Sequence, residues 1–353
     1  MGKIFMDEMI LKLFISSFLF SVILHLSVIF LAKKYRLFID SEMDKKPQKM
    51  HTLPTPRAGG IGIFAPFFWG LVLFYLYHPQ PLFLGLFVGG SIIFMSGIIE
   101  DFNASLNPKT RLILQCLGAG FFVFLSESYL SNLGFGIELP AYIGIPFSIF
   151  AIVGMVNALN IIDGFNGLAS GITLLALVCL YFLLPHSLIE SCLIVILIAS
   201  VLGFFIFNFP WGKIFLGDGG AYFLGFVLAG LLIHITQTPL NGETTPNISP
   251  WFGIALLIYP FWEVIFSIYR RKFIRHLSPV QPDKLHLHTI LYKRFLKHNA
   301  KTSLFIVLSV SPFMILSTFV SSNDLFLLLI SLAFILIYGV IYSRSTLFAR
   351  KKR

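Results

Sequence analysis

Charge is what this sequence has least of. Only 12% of its 353 residues are Asp, Glu, Lys or Arg, against 57% that are apolar. That leaves too little polar surface to cover a water-soluble globule, which excludes an ordinary soluble enzyme or binding module. Cysteine is nearly absent as well. Cys116, Cys179 and Cys192 all lie inside apolar runs with no metal or redox spacing between them, so a disulfide framework and a cysteine-built zinc or redox centre are excluded. Acids are fewer than bases, 16 to 26, for a net charge of +10. Membrane topology and anionic headgroups account for that excess without nucleic acid.

What the chain has in quantity is long apolar runs. About 18 such residues span a bilayer as a helix, and seven runs qualify: 9–32, 59–77, 82–99, 141–159, 251–268, 303–320 and 325–342. Four shorter ones, 112–125, 168–184, 191–207 and 221–235, reach that length only by borrowing flanking residues. The expectation is an all-α polytopic membrane protein, one integral membrane domain over 1–353 with about eleven transmembrane helices. The first run follows Asp7 and Glu8 and ends without a small-residue cleavage pattern, so it is read as a retained anchor.

The bases orient the runs. Lys and Arg follow the first run (seven in 33–57), the third (Lys109 and Arg111), the seventh (Lys213), the ninth (nine in 270–301) and the last (five), whereas the connections after the second, fourth, sixth and eighth have none. By the positive-inside rule every odd run ends in the cytoplasm. The expected setting is a bacterial inner membrane, with a periplasmic N-terminus and a cytoplasmic C-terminus. The main cytoplasmic loops are then 33–57, 100–111, 160–167, 208–219 and 269–301.

On that assignment the informative acids share one face. Glu100 and Asp101 end the third run, Asp163 follows the fifth, Asp218 follows the seventh, Glu263 lies in the ninth and Asp283 after it. Asp40, Glu42 and Asp44 sit in a mixed-charge stretch and are read as ordinary loop residues. Carboxylates at the hydrocarbon edge are expensive and call for a cationic or metal partner. In IFLGDGGAYFLGF, Asp218 precedes two glycines and a helix start, so carboxylate and backbone N–H groups face one space. That pairing suits Mg2+ carrying phosphates, the amides taking phosphate oxygens. In NALNIIDGFNGLASG, Asp163 and Asn166 stand three apart beside Gly164 and Gly167, where a ligand can approach the backbone. The two stretches together describe a pyrophosphate site.

Basic partners come from two loops. PQKMHTLPTPRAGG offers Lys49, His51 and Arg57 on a proline-stiffened segment, and SPVQPDKLHLHTIL offers Lys284, His286 and His288. Phosphate contact suits them better than zinc, since two His at i and i+2 share a side only in extended chain. His25 and His234, inside apolar runs, are expected to be buried and hydrogen-bonded. Glu263 is a functional candidate by its depth, with an ion pair to Arg270 or Arg271 as the structural alternative.

Five motifs in order, KMHTLPTPRAGG, GIIEDFNASLNPKTRLILQ, NALNIIDGFNGLASG, FLGDGGAYFLGF and PDKLHLH, resemble those of the polyprenyl-phosphate N-acetylhexosamine-1-phosphate transferases. The resemblance runs from the first run to the loop after the ninth. It implies that Asp218 ligates Mg2+ (Mn2+ as an alternative) and that the Glu100 and Asp101 pair lies close to the lipid phosphate. It also implies that Asn157, Asn160 and Asp163 line the nucleotide-sugar site. Three departures stand out: Glu100 where the family has Asp, Asn166 where a second Asp is common, and Thr289 where a final His is usual. The pattern is closest to the O-antigen-initiating branch.

The implied reaction moves a sugar-1-phosphate from a UDP-N-acetylhexosamine to undecaprenyl phosphate and releases UMP. Glu100, Asp101, Asp163, His286 and His288 are the catalytic candidates, and Lys49, His51, Arg57, Asn157, Asn160, Asn166 and Lys284 the substrate-binding ones. A homodimer is left open, and membrane lipids are the only other partners expected. The alternative class is a secondary transporter of an anionic solute. It requires ionisable groups at the bilayer midplane and matched repeat halves, and the sequence displays neither.

Overall fold

The structure is a computed structural model that describes residues 2–36, 38, 55–77, 79–103, 106–185, 189–237, 247–276 and 285–350. It is helical throughout, with one isolated antiparallel bridge between Asn132 and Glu138 and no strands among the described residues. The helices are α1 (Gly2–Tyr35), α2 (Gly59–Tyr77), α3 (Pro81–Asn103), α4 (Pro108–Ser126), α5 (Ala141–Ile162), α6 (Leu168–Leu183) and α7 (Ile189–Asn208). They continue with α8 (Gly217–Gln237), α9 (Trp251–Leu256), α10 (Ile258–Tyr269), α11 (Leu287–Leu291), α12 (Asn299–Phe319) and α13 (Asp324–Arg350). Two π-helical turns, Arg270–Ile274 and Tyr292–Leu296, follow α10 and α11.

Every one of the eleven apolar runs is helical, but among the described residues nine helices are long and apolar enough to cross a membrane. Two runs account for the difference. The sixth run forms α6, whose 16 residues extend only about 24 Å at 1.5 Å per residue, short of a hydrocarbon core of about 30 Å. The ninth is broken into α9 and α10 at Leu257, where φ is −104° and ψ 31°. Pro260 supplies the reason: it has no N–H for the Leu256 carbonyl, and its ring crowds that carbonyl.

The bundle is built around α8. Along its apolar window 94% of residues are buried, against 17% for α1 and 28% for α13. Helices α3, α5 and α2 pack directly on α8, while α1 packs on α7 and α2 at the periphery. Close approach is made by small residues, as between membrane helices generally. A Cβ on Gly60 would lie 2.4 Å from the Gly220 nitrogen, and one on Gly97 would lie 2.5 Å from Gly219 Cα. These contacts bring the start of α8 against the start of α2 and the end of α3, where the polar motifs converge. His25 and His234 are buried as expected. His25 Nε2 bonds the Gly59 carbonyl at 2.9 Å, and His234 Nδ1 pairs with Ser128 Oγ at 2.8 Å.

Candidate active site

The segment before α2 lies along the turn before α8. Phe215 N donates to Pro56 O (2.8 Å), Gly59 N to Phe215 O (2.9 Å) and Gly60 N to Leu216 O (2.9 Å). Two motifs more than 150 residues apart are thereby zipped by backbone bonds, which sets Arg57 beside Gly217. Gly217 has φ +78°, and a Cβ there would lie 2.5 Å from both Arg57 O and Asp101 Oδ2. Only glycine meets both demands.

Asp101, at the end of α3, caps α8. Its Oδ1 accepts from Asp218 N and its Oδ2 from Gly219 N, both at 2.9 Å. A carboxylate at a helix N-terminus satisfies otherwise orphaned donors and meets the positive end of the helix dipole. This corrects the expectation that those two amides take phosphate oxygens, and it gives Asp101 a structural duty that its sequence context did not reveal. Asp218 Oδ1 accepts from Asn160 Nδ2 at 3.0 Å, and its Oδ2 faces Arg111 Nη1 at 3.4 Å. Arg111 Nη1 also lies 3.6 Å from Glu100 Oε1 and 3.4 Å from the Tyr222 hydroxyl. Glu100 Oε2 accepts from Leu106 N at 3.2 Å.

Helix α5 brings the amide and acid residues. Asn157 Nδ2 donates to Gln115 Oε1 and to Val153 O, both at 2.8 Å, and Asn160, nearly one turn on, reaches Asp218. Asp163 is the C-cap residue of α5 and half-buried. Burial pushes its carboxyl well above the usual carboxylate range; the Arg57 charge pulls the other way, and the Asp218 and Asp101 charges add to the rise. Asp163 therefore shares one electrostatic neighbourhood with Arg57, Asp101 and Asp218. Arg57, Glu100, Asp101, Asn160, Asp163 and Asp218 are brought together, with Asn157 one step away.

Other candidates lie elsewhere. Asn166 is 5% exposed and is locked into the protein: its backbone N–H donates to Asn299 Oδ1 (2.7 Å) and its Nδ2 to Pro210 O (3.2 Å). It is a brace between the 163–167 turn and the 208–213 turn, contrary to the expectation of a ligand contact. His286 and His288 are buried, at 6% and 3% exposure, with rings stacked 5.3 Å apart. His286 Nδ1 bonds Glu263 Oε1 (2.9 Å), and His288 Nδ1 pairs with the Tyr259 hydroxyl (3.0 Å). Burial holds His288 down to about 3, so it is a neutral ring at pH 7 and cannot serve as a cation. The HLH segment touches the site through Phe165 of the DGFNG turn, whose ring packs on His288 and Tyr292. Lys49, His51, Asp283 and Lys284 lie outside the described residues.

Sequence reasoning missed Arg111 as a site residue, counting it only toward topology. Its signal was available: it is one of two bases in a connection that begins with an acid pair. Gln115, 1% exposed, gave none, because a buried glutamine declares itself only when its partner is known. Among the described residues no group of three or more His, Cys, Asp or Glu is arranged as a metal-ligand cage. The donor chemistry still fits Mg2+, a hard cation taken up by one or two carboxylates together with waters and substrate phosphates. Asp218 would be the carboxylate for that role, since its oxygens meet side-chain donors that a cation can displace.

Residues 83–236 match the model of a family described as glycosyl transferase family 4, a stretch that holds Glu100, Asp101, Arg111, Asn157, Asn160, Asp163 and Asp218. A Bacillus subtilis (strain 168) protein described as a probable undecaprenyl-phosphate N-acetylglucosaminyl 1-phosphate transferase is 29% identical over 306 residues, covering 83% of this chain and 81% of its own. An undecaprenyl-phosphate alpha-N-acetylglucosaminyl 1-phosphate transferase of Salmonella typhi is 28% identical over 293 residues, covering 79% and 75%. A Thermotoga maritima protein of the same description is 29% identical over 249 residues, covering 70% and 71%. The ordered motifs and the helical membrane architecture agree with these matches: the chain is similar to glycosyl transferase family 4 over residues 83–236 and, over most of its length, to undecaprenyl-phosphate N-acetylglucosaminyl 1-phosphate transferases.

Proposed function

We propose that the protein transfers N-acetylhexosamine-1-phosphate from its UDP-sugar to undecaprenyl phosphate at the inner face of the membrane, releasing UMP and beginning a cell-surface glycan such as O-antigen. The observation that carries this reading is the meeting of four carboxylates, two arginines and an amide at the start of α8. Such a set suits a doubly anionic substrate pair held with a divalent cation. The relatives' descriptions supply the lipid acceptor and the sugar-1-phosphate.

In the reaction an oxygen of the lipid phosphate attacks the sugar-linked phosphorus of the UDP-sugar. The bond from that phosphorus to the bridging oxygen breaks, and the oxygen departs on UMP. Repulsion between the two anions is the main barrier. Arg111 and Arg57 are placed to take phosphate oxygens by charge-assisted hydrogen bonds, and Asn160 holds Asp218 in its orientation. Mg2+, or Mn2+, held by Asp218 together with donor phosphate oxygens, would neutralise charge on the pyrophosphate and on the departing UMP. Asp101 keeps the start of α8, and so Asp218, in place. The lipid phosphate, with a second pKa of about 6, is largely dianionic at neutral pH and needs no protein base. One displacement without a covalent enzyme intermediate follows.

The test is to incubate the purified protein with undecaprenyl phosphate and a panel of UDP-sugars, identifying the lipid product by mass and following UMP. A lipid pyrophosphoryl sugar is expected from one or more UDP-N-acetylhexosamines. Intact UDP-sugar in every case would sink the reading and return the anionic-solute transporter.

A further inference from the structure

Beneath the HLH segment lies a closed polar network that the transfer reaction has not yet used. Glu263 of α10 is fully buried at 0% exposure. Its Oε1 accepts from His286 Nδ1 at 2.9 Å and from Leu287 N at 3.2 Å, and its Oε2 accepts from the Tyr338 hydroxyl of α13 at 2.9 Å. An ionised carboxylate only accepts hydrogen bonds, so the His286 ring must carry a proton on Nδ1. That leaves Nε2 as the nitrogen that no described residue takes. The ring is further fixed by the parallel stack with His288, interplanar angle 2°, and His288 in turn packs edge-on against Phe165, 5.4 Å between ring centres. Phe165 is two residues from Asp163, so the network ends at the turn bearing a site acid.

We propose that Glu263 is a positioning residue: with Tyr338 behind it, it fixes the tautomer and orientation of His286 so that Nε2 is offered, as an acceptor, to a hydrogen-bond donor of the bound substrate. The same bonds tie α13, which lies outside the 83–236 family match, to the chemistry. This rests on the transfer reading above. A carboxylate behind an imidazole acts in this way at many metal sites, where its loss typically lowers activity about 10- to 100-fold.

The experiment uses the full-length protein and three variants, Glu263→Gln, Glu263→Leu and Tyr338→Phe, assayed for turnover and KM and for thermal midpoint. Glu263→Gln keeps an acceptor for Nδ1 and Leu287 N, so it should stay within about threefold of wild-type turnover. Glu263→Leu keeps volume but not the acceptor, so turnover should fall about 10- to 100-fold with KM nearly unchanged. Tyr338→Phe should fall between them. Nitrogen-15 histidine spectra, with the His286 signal assigned by difference from His286→Gln, provide a readout that packing alone would not move. A protonated Nδ1 is expected in the wild type and a changed signature in Glu263→Leu. A wild-type His286 with a bare Nδ1, or a folded Glu263→Leu with full turnover, would overturn the proposal. Equal losses in the Gln and Leu variants that track thermal midpoint would do the same. The spectra need no substrate, so a wild-type protein unable to transfer sugar phosphate would defeat the functional reading alone and leave this claim to be decided by the nitrogen signals.

Discussion

At the scale of single residues the site is a set of charges held close by their neighbours. Asp218 and Glu100 tolerate each other because Arg111 stands between them, 3.4 and 3.6 Å away. Arg111→Ala should lower kcat/KM about 30-fold, taking about 2 kcal/mol for a charge-assisted hydrogen bond at a partly exposed position. Arg111→Lys should not restore it fully, since a point charge cannot replace the guanidinium fork. Unchanged kinetics in Arg111→Ala would remove the residue from the site. Asp218→Asn should abolish nearly all turnover at ordinary Mg2+, because an amide is a far poorer ligand for a hard cation. Asp163 carries a pH signature. Its folded pKa is raised well above the ordinary 3.8, so its contribution to stability is complete below 3.8 and is lost as pH rises toward the folded value. Asp163→Asn removes that loss: its thermal midpoint should exceed the wild type's at pH 7 to 8 and converge with it near pH 4. A difference independent of pH would contradict the assignment.

At the scale of elements the decisive event is the docking of α8 onto α2 and α3. Gly97 leaves no room for a methyl, which would meet the Gly219 backbone at 2.5 Å. Gly97→Ala should therefore push α3 away from the start of α8, destabilising by about 1–3 kcal/mol as overpacking does and reducing turnover through misplaced Asp101 and Asp218. A variant with wild-type melting and turnover would show that the contact is loose. The cap works in the same direction. Asp101→Asn retains one acceptor but turns an amide N–H₂ toward a backbone donor, so turnover should fall together with stability by about 1 kcal/mol. The same logic explains α9 and α10, which hydropathy reads as one run and Pro260 divides.

At the scale of the whole molecule the asymmetric distribution of Lys and Arg predicts how the bundle is oriented. In a background freed of its three cysteines, Glu138→Cys, an exposed position between α4 and α5, should react with a membrane-impermeant maleimide in spheroplasts. Lys293→Cys, in the turn after α11, should react only after permeabilisation. The opposite pattern would invert the topology and place the candidate site outside. The acids at the start of α8 and the Glu263 network then form two polar centres within one apolar bundle, joined by Phe165 and His288.

Composition and run length determined by themselves that this chain is a helical membrane protein, where its helices lie and which loops carry its acids, because hydrophobic length and local charge act within a stretch of chain. The same local signals marked the run of α6 as short but read the ninth run as unbroken, because a proline break at Leu257 depends on detail below the length of a hydropathy window. The identity of each site residue's partner was decided only in three dimensions. Asp101 meets amides 117 and 118 residues away, Arg111 meets Asp218 across 107, and Asn166 is withdrawn under the 208–213 turn while His286 is drawn toward Glu263. Hydrogen bonds and ion pairs act over a few ångströms, so which carboxylate becomes a cap and which remains available to a ligand depends on how the helices pack.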